Sequence, residues 1–204
     1  MVRAAFLDRD GVINQKAPEG AYVTRWEQMH FLPGVAEAIG LLNRAGFGVI
    51  VVSNQRCIAK GLATMRDTDA LHQRMCEALA ARGARIDAVY YCPHDKQPPC
   101  ACRKPAPGML LTAAHDRGLD LAASWMIGDS AADVAAGQKA GCKTARVVAE
   151  GPAAASADAV PDVVASSLLE IVQQILERDR PGADGPPADA ASPIAAGPRK
   201  ARNA

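Results

Sequence analysis

Apolar residues fall into two alternating rhythms along this chain. Short continuous runs at residues 4–7, 47–52, 86–91, 125–127 and 144–148 are too short for helices and rich in β-branched or small side chains. That is the pattern of strands buried on both faces. Between them, apolar positions recur at helical spacing. Val35, Ala38, Ile39 and Leu42 follow Pro33-Gly34 and end at Gly46; Leu71, Met75 and Leu79 follow a capping Thr64 and end at Gly83. Further helices are predicted over 107–117 and 131–140, and an amphipathic one carries Leu168, Val172, Ile175 and Leu176, with a short strand near Val163 before it. Strands alternating with helices predict an α/β fold, a three-layer doubly wound parallel sheet. Residues 14–32 show no period and read as a flap over the end of the first strand. The pattern stops near Asp179. Residues 1–178 therefore form the expected domain, and the Pro/Ala/Gly-rich segment 179–204 is expected to be a disordered tail, since it cannot bury enough surface to offset its ordering entropy.

At 204 residues the chain has room for one sizeable core. A net charge of +1 gives no reason to expect nucleic acid or an anionic membrane as partner. No apolar run reaches membrane length, and the run before Asp8 is too short for a signal peptide. A cytoplasmic monomer is the expectation. In a reducing compartment the six cysteines point to metal binding rather than disulfides.

Polar chemistry collects where the predicted strands end, the place where open parallel sheets bind ligands. Asp8 and Asp10, at i and i+2 in extended chain, project to one side, and Gly11 lets the backbone turn. Ser53-Asn54-Gln55 closes the second strand, Arg103-Lys104 follows the third, and Asp129 follows the fourth. Carboxylates beside a hydroxyl and a cation suit a phosphate held against a hard divalent ion. Mg²⁺ would take Asp8, Asp129 and the backbone carbonyl of Asp10 as oxygen ligands, while Ser53 and Lys104 stabilise a phosphoryl group. The loop from Cys92 to Cys102 offers a second metal set. Cys92, His94, Cys100 and Cys102 have the composition of a closed, structural Cys₃His zinc site.

Four motifs in order carry a resemblance: Asp8-Arg9-Asp10-Gly11-Val12, Ser53, Lys104, and Gly128-Asp129-Ser130-Ala131-Ala132-Asp133. Together they resemble the haloacid dehalogenase superfamily of phosphohydrolases over residues 3–148. The resemblance implies a Rossmann-like fold, Asp8 as nucleophile forming an aspartyl-phosphate, Asp10 as general acid and base, and Asp129 as a Mg²⁺ ligand. Asp133 is read either as loop support or as a secondary metal ligand. The zinc loop running into Cys102-Arg103-Lys104-Pro105 narrows the likeness to the capless branch of heptose-bisphosphate and, more distantly, histidinol-phosphate phosphatases. There Arg103 would bind substrate phosphate together with Asn54 and Gln55, the substrate being a small sugar phosphate.

Two positions depart from that branch. Arg56-Cys57 stands where Ser-Gly is common, and Ser130 where Lys is common, so Arg56 is a candidate to replace a missing cation. Histidinol-phosphate hydrolysis and a non-catalytic zinc-stabilised binding protein remain the alternatives. Cys76 and Cys142 read as small core residues, and Cys57 as an inert, partly exposed thiol. His30, His72 and His115 stand at no ligand spacing.

Overall fold

The computed structural model describes residues 2–148 and 159–179. Apart from Asp179, the predicted tail lies outside these residues. Six strands run parallel in one sheet: β1 (Ala4–Leu7), β2 (Gly48–Asn54), β3 (Ala88–Cys92), β4 (Trp125–Gly128), β5 (Lys143–Val147) and β6 (Val163–Ala165). Their order is β3-β2-β1-β4-β5-β6. The helices are α1 (Val35–Arg44), α2 (Met65–Ala80), α3 (Gly108–Arg117), α4 (Ala131–Ala140) and α5 (Leu168–Arg178). A 3₁₀ turn, Trp26–Gln28, lies within the flap.

Strand pleating divides the core in two, because successive side chains leave opposite faces. Ala5, Leu7, Val49, Val51 and Ile127 meet apolar residues of α1, α2 and α5. Ala4, Phe6, Ile50, Val52 and Met126 meet those of α3 and α4. Every one of these strand residues is fully buried. The continuous apolar runs thus follow from burial on both faces. Helix ends were equally local in origin. Thr64 Oγ1 accepts from the Asp67 amide while the Asp67 carboxylate accepts from the Thr64 amide, a reciprocal cap that starts α2. Gly141, at φ +83°, ends α4 in the left-handed region.

Chain order runs outward from β1 toward β3 on one side, then crosses to β4 and outward again. The direction reverses between β1 and β4, and a crevice opens beyond their carboxyl ends. Register brings the two ends together: Leu7 pairs with Ile127, and the Asp8 amide donates to the Ile127 carbonyl at 2.9 Å. Among the described residues no helix is long and apolar enough to cross a membrane.

Close contact between α4 and the sheet depends on Gly137. A Cβ there would sit 2.6 Å from Met126 Cβ and 2.8 Å from Thr144 Cγ2. Alanine would gain about 1 kcal/mol of helix propensity, but Met126 Cβ is fixed by its strand and cannot yield. Overpacking of this kind costs about 1–3 kcal/mol. Gly137→Ala is therefore expected to be net destabilising in urea denaturation; an unchanged or raised midpoint would refute the packing argument.

Candidate active site

The turn after β1 is built by backbone bonds to Arg9, whose carbonyl accepts from the amides of Ile13 (2.8 Å) and Asn14 (3.1 Å). Gly11 is required there twice over. Its φ is +90°, and a Cβ would run into the Asp129 carboxylate. This glycine is what lets the β1 and β4 loops approach each other.

Lys104 lies at the centre of the site. It is 3% exposed, and its ammonium donates to the Val52 carbonyl at 2.8 Å while standing 3.0 Å from Asp8 Oδ1 and 2.6 Å from Asp133 Oδ1. Burial alone would lower the lysine pKa, but the two carboxylates reverse that and raise it. The Lys104 backbone is held in turn by Asn54. Its Nδ2 donates to the Lys104 carbonyl and its Oδ1 accepts from the Lys104 amide, both at 3.1 Å. Asp133 divides its two oxygens: Oδ2 caps α4 by accepting from the Ser130 amide and hydroxyl, and Oδ1 faces Lys104. The Oδ2 contacts are those of loop support, and Oδ1 is engaged by the Lys104 ammonium.

Asp8 feels burial first. Desolvation pushes its carboxyl up to about 7, against the pull of Lys104 and with a further push from Asp133. Oxygens of Asp8, Asp129 and Asp133 lie within 4.8 Å of one another. Besides Lys104, the ammonium of Lys16 reaches this group, 2.6 Å from Asp129 Oδ2. Lys16 comes from the flap on a 62% exposed side chain, so it is free to leave. Three crowded carboxylates drawing a flexible ammonium into their midst are a donor set that fits a hard divalent cation. Arg56 does not supply the cation foreseen for it: its guanidinium pairs with Asp95 of the cysteine loop at 2.5 Å.

Asp10 turns its carboxylate away from this cluster. Oδ1 accepts from Asn14 Nδ2 at 2.9 Å, and both oxygens accept from the buried guanidinium of Arg9. Gln55 lies beneath the cleft at 2% exposure, donating from Nε2 to Ser53 Oγ (2.7 Å) and more distantly to Asp10 Oδ2 (3.4 Å). Ser53 and Asn54 line the cleft itself, as do Asp8, Asp10 and Asp129. The cleft measures about 500 Å³ and is roofed by flap residues 16–23, with Lys96 and Arg103 at its rim. A larger hollow of about 770 Å³ lies between the flap and α2, sharing only the Gly20–Tyr22 wall and holding none of these carboxylates.

The cysteine loop closes on itself. Cys92 Sγ lies 3.5 Å from Cys100 Sγ and 3.2 Å from Cys102 Sγ, and His94 Nδ1 is 3.2 Å from Cys102 Sγ. All four donor atoms fall within 4.8 Å of one another. Burial and hydrogen bonds to Cys92 and Cys100 push the Cys102 thiol up to about 12. At Cys100 burial is outweighed by hydrogen bonds, Cys102's foremost, which pull that thiol down to about 6, so one thiolate forms at its neighbours' expense. Such crowded thiols ionise together only around a cation, which is the chemistry of a thiolate metal site. The remaining cysteines are free thiols; Cys57 is buried, not partly exposed, because its turn packs under the Gln55 side chain.

The sequence reading missed His72. It is 3% exposed on α2, and its Nε2 lies 3.1 Å from Arg9 Nη1. Its spacing at the buried face of α2, one residue after Leu71, was the available signal, but the partner is distant in sequence.

Comparison with known proteins agrees with this geometry. Residues 101–171 match the family described as HAD-hydrolase-like. The chain is 38% identical over 188 residues to the D-glycero-beta-D-manno-heptose-1,7-bisphosphate 7-phosphatase of Escherichia coli K12, covering 88% of this chain and 97% of that protein. It is 44% identical over 145 residues to the enzyme of the same name from Rhodopseudomonas palustris, covering 68% and 79%. Among solved structures, the D,D-heptose 1,7-bisphosphate phosphatase of B. bronchiseptica, complexed with magnesium and phosphate, superposes with a TM-score of 0.78 at 35% identity, covering 86% of this chain and 99% of that one. The chain belongs to the haloacid dehalogenase-like hydrolases. Its relatives within that class are the heptose-1,7-bisphosphate 7-phosphatases, and a phosphoric monoester hydrolase is the enzyme class they define.

Burial, and then the nearby Arg9 charge, lower the His72 pKa to about 4 from 6.5. The folded state therefore binds a proton less readily than the unfolded chain. Stability present above pH 6.5 is lost as pH falls toward 4, by roughly 3 kcal/mol for this group. His72→Gln is expected to lose correspondingly less between pH 7 and pH 4 in denaturant titrations. Parallel losses in the two proteins would contradict it.

Proposed function

We propose that this protein removes the C7 phosphate of D-glycero-D-manno-heptose 1,7-bisphosphate through an aspartyl-phosphate on Asp8. The observation that carries the reading is the convergence of Asp8, Asp129, Asp133 and Lys104 at the β1–β4 crevice, in a fold shared with heptose bisphosphate phosphatases. Asp8, Asp129 and the backbone carbonyl of Asp10 would hold Mg²⁺, with Asp133 beside them. Mg²⁺ bound there neutralises charge on the phosphoryl oxygens and keeps a buried carboxylate ionised.

The residues then divide the work. Asp8 attacks phosphorus, and the bond from phosphorus to the sugar oxygen breaks. Asp10 gives that oxygen its proton as it leaves. Water next attacks the phosphorus of the aspartyl-phosphate, Asp10 takes the proton back, and Asp8 is restored with release of inorganic phosphate. Lys104 and Ser53 stabilise the charge on the transferring group. Splitting one displacement into two is the gain from covalent catalysis.

Rim charge supports a bisphosphate over histidinol phosphate. Lys16, Lys96 and Arg103 border the cleft together with one carboxylate from the flap, Glu19. A second phosphate is attracted to such a rim, whereas the ammonium of histidinol phosphate is repelled. Asn54 and Gln55 serve this reading mainly through Lys104, Ser53 and Asp10. The Cys92, His94, Cys100 and Cys102 set would hold a structural zinc that orders the loop ahead of Arg103 and Lys104. A cytoplasmic compartment fits thiols that must stay reduced.

Phosphate release with Mg²⁺ from both heptose 1,7-bisphosphate anomers and from histidinol phosphate tests the reading, with Asp8→Asn as control. Turnover is expected for heptose bisphosphate, the β anomer foremost given the relatives' names, and abolished in the control. Preferential hydrolysis of histidinol phosphate would replace the substrate. For the second metal, elemental analysis of purified protein is expected to find one zinc per chain, absent in Cys102→Ser. A metal-free wild type that keeps its melting temperature would remove the zinc.

A further inference from the structure

Arg9 sits behind the cleft at 1% exposure. Its planar guanidinium uses one edge on Asp10, through Nε to Oδ1 at 3.3 Å and Nη2 to Oδ1 and Oδ2 at 3.0 and 2.8 Å. The other edge donates from Nη2 to the Val23 carbonyl of the flap and from Nη1 to His72 Nε2, each at 3.1 Å. Since arginine only donates, Nε2 is the acceptor and the imidazole proton sits on Nδ1. That Nδ1 is buried with no hydrogen-bond partner. A buried unpartnered N–H costs about 1–3 kcal/mol. An apolar side chain of similar size would pack against Tyr91, whose ring centroid is 5.3 Å away, without that cost. What the histidine offers here, and an apolar side chain does not, is a neutral acceptor for Arg9.

We propose that His72 is a positioning residue for the hydrolysis: by accepting from Arg9 it fixes the plane of the guanidinium, and through it the direction in which Asp10 presents its proton to the leaving oxygen. The inference rests on the phosphatase reading and deepens it. The guanidinium is a rigid fork, so its grip on Asp10 is only as definite as the anchor on its far edge. Without Nε2, Nη1 is left an unpaired buried donor and the fork rotates toward other acceptors. Asp10 would then follow Asn14 and Gln55 alone. Proton donation needs the acid within hydrogen-bond reach of the leaving oxygen, so a small rotation weakens it directly.

The signature is dependence on the leaving group. A sugar alkoxide leaves only with a proton, whereas p-nitrophenolate leaves without one. The measurement is kcat/KM, which reports through departure of the leaving group, for heptose bisphosphate and for p-nitrophenyl phosphate. His72→Phe is expected to lose about 30-fold on the sugar substrate and less than about threefold on the aryl one. His72→Gln, whose amide oxygen can accept from Arg9, is expected to return to within about threefold of wild type on both. His72→Asn, polar but too short to reach Arg9, should repeat the Phe pattern and replaces it if that variant does not fold. Equal losses on both substrates, or no rescue by Gln in a folded protein, would overturn the inference. The wild type distinguishes the deeper failure: if it releases phosphate from neither substrate, the phosphatase reading itself is wrong, whereas turnover that survives in Asp8→Asn refutes Asp8 as the nucleophile.

Discussion

The ammonium of Lys104, enclosed between a β2 carbonyl and carboxylates from the β1 loop and the first turn of α4, is the contact on which the site depends. Burying such a charge costs on the order of several kcal/mol, recovered only when its donors find well-placed acceptors. Asp8 and Asp133 in turn are tolerable inside the protein only because Lys104 lies between them. Each member makes the others possible, so the three loops must arrive together. Glycines make that approach feasible. Gly11 leaves room for Asp129, and a Cβ on Gly128 would overlap Asp133. The reversal of strand order between β1 and β4 supplies the crevice, and these contacts fill its floor with charge.

Delivery of Lys104 is a problem of the long loop after β3, which has no apolar core of its own. Two devices hold it. Asn54 clasps the Lys104 backbone from the end of β2, and the Cys₃His cluster gathers residues 92–102 immediately before it. The Arg56–Asp95 ion pair ties the same loop to the turn after β2. That pair explains why arginine at position 56 gives no cation to the phosphate site, and why Lys16 of the flap is the ammonium found against Asp129.

The periodic layer of the structure was legible in the sequence. Strand and helix positions followed from apolar runs and caps, and observed ends lie within about two residues of expectation, with β3 running from 88 to 92 rather than 86 to 91. Residues that the fold gathers at the crevice were legible too: Asp8, Asp10, Ser53 and Asp129 stand out as polar residues where apolar strands stop, and Lys104 as a cation on the loop after the third strand. What stayed hidden depends on long-range contact. Gln55 reads as a substrate contact but is buried beneath the cleft, its amide turned to Ser53 and Asp10. Arg9 reads as a spacer between two aspartates, and His72 as a lone histidine. Their pairing joins residues 63 positions apart, and no local pattern encodes it.

Charge is arranged in depth. The floor holds three carboxylates that attract a cation, with Lys104 balancing part of their charge. The rim holds Lys96 and Arg103, which attract an anion, while Lys16 reaches down from the flap to Asp129. A phosphate ester entering this field is drawn by the rim, yet reaches Asp8 only once the floor's excess negative charge is neutralised, because two anions in a low-dielectric pocket repel strongly. Lys16 holds that balance in the structure described, lying on Asp129 from an exposed, flexible stem. A divalent ion on the floor would compete for the same carboxylate and free Lys16 for the rim. With such an ion on the floor, cation and anion binding would be coupled through one side chain, by electrostatics alone.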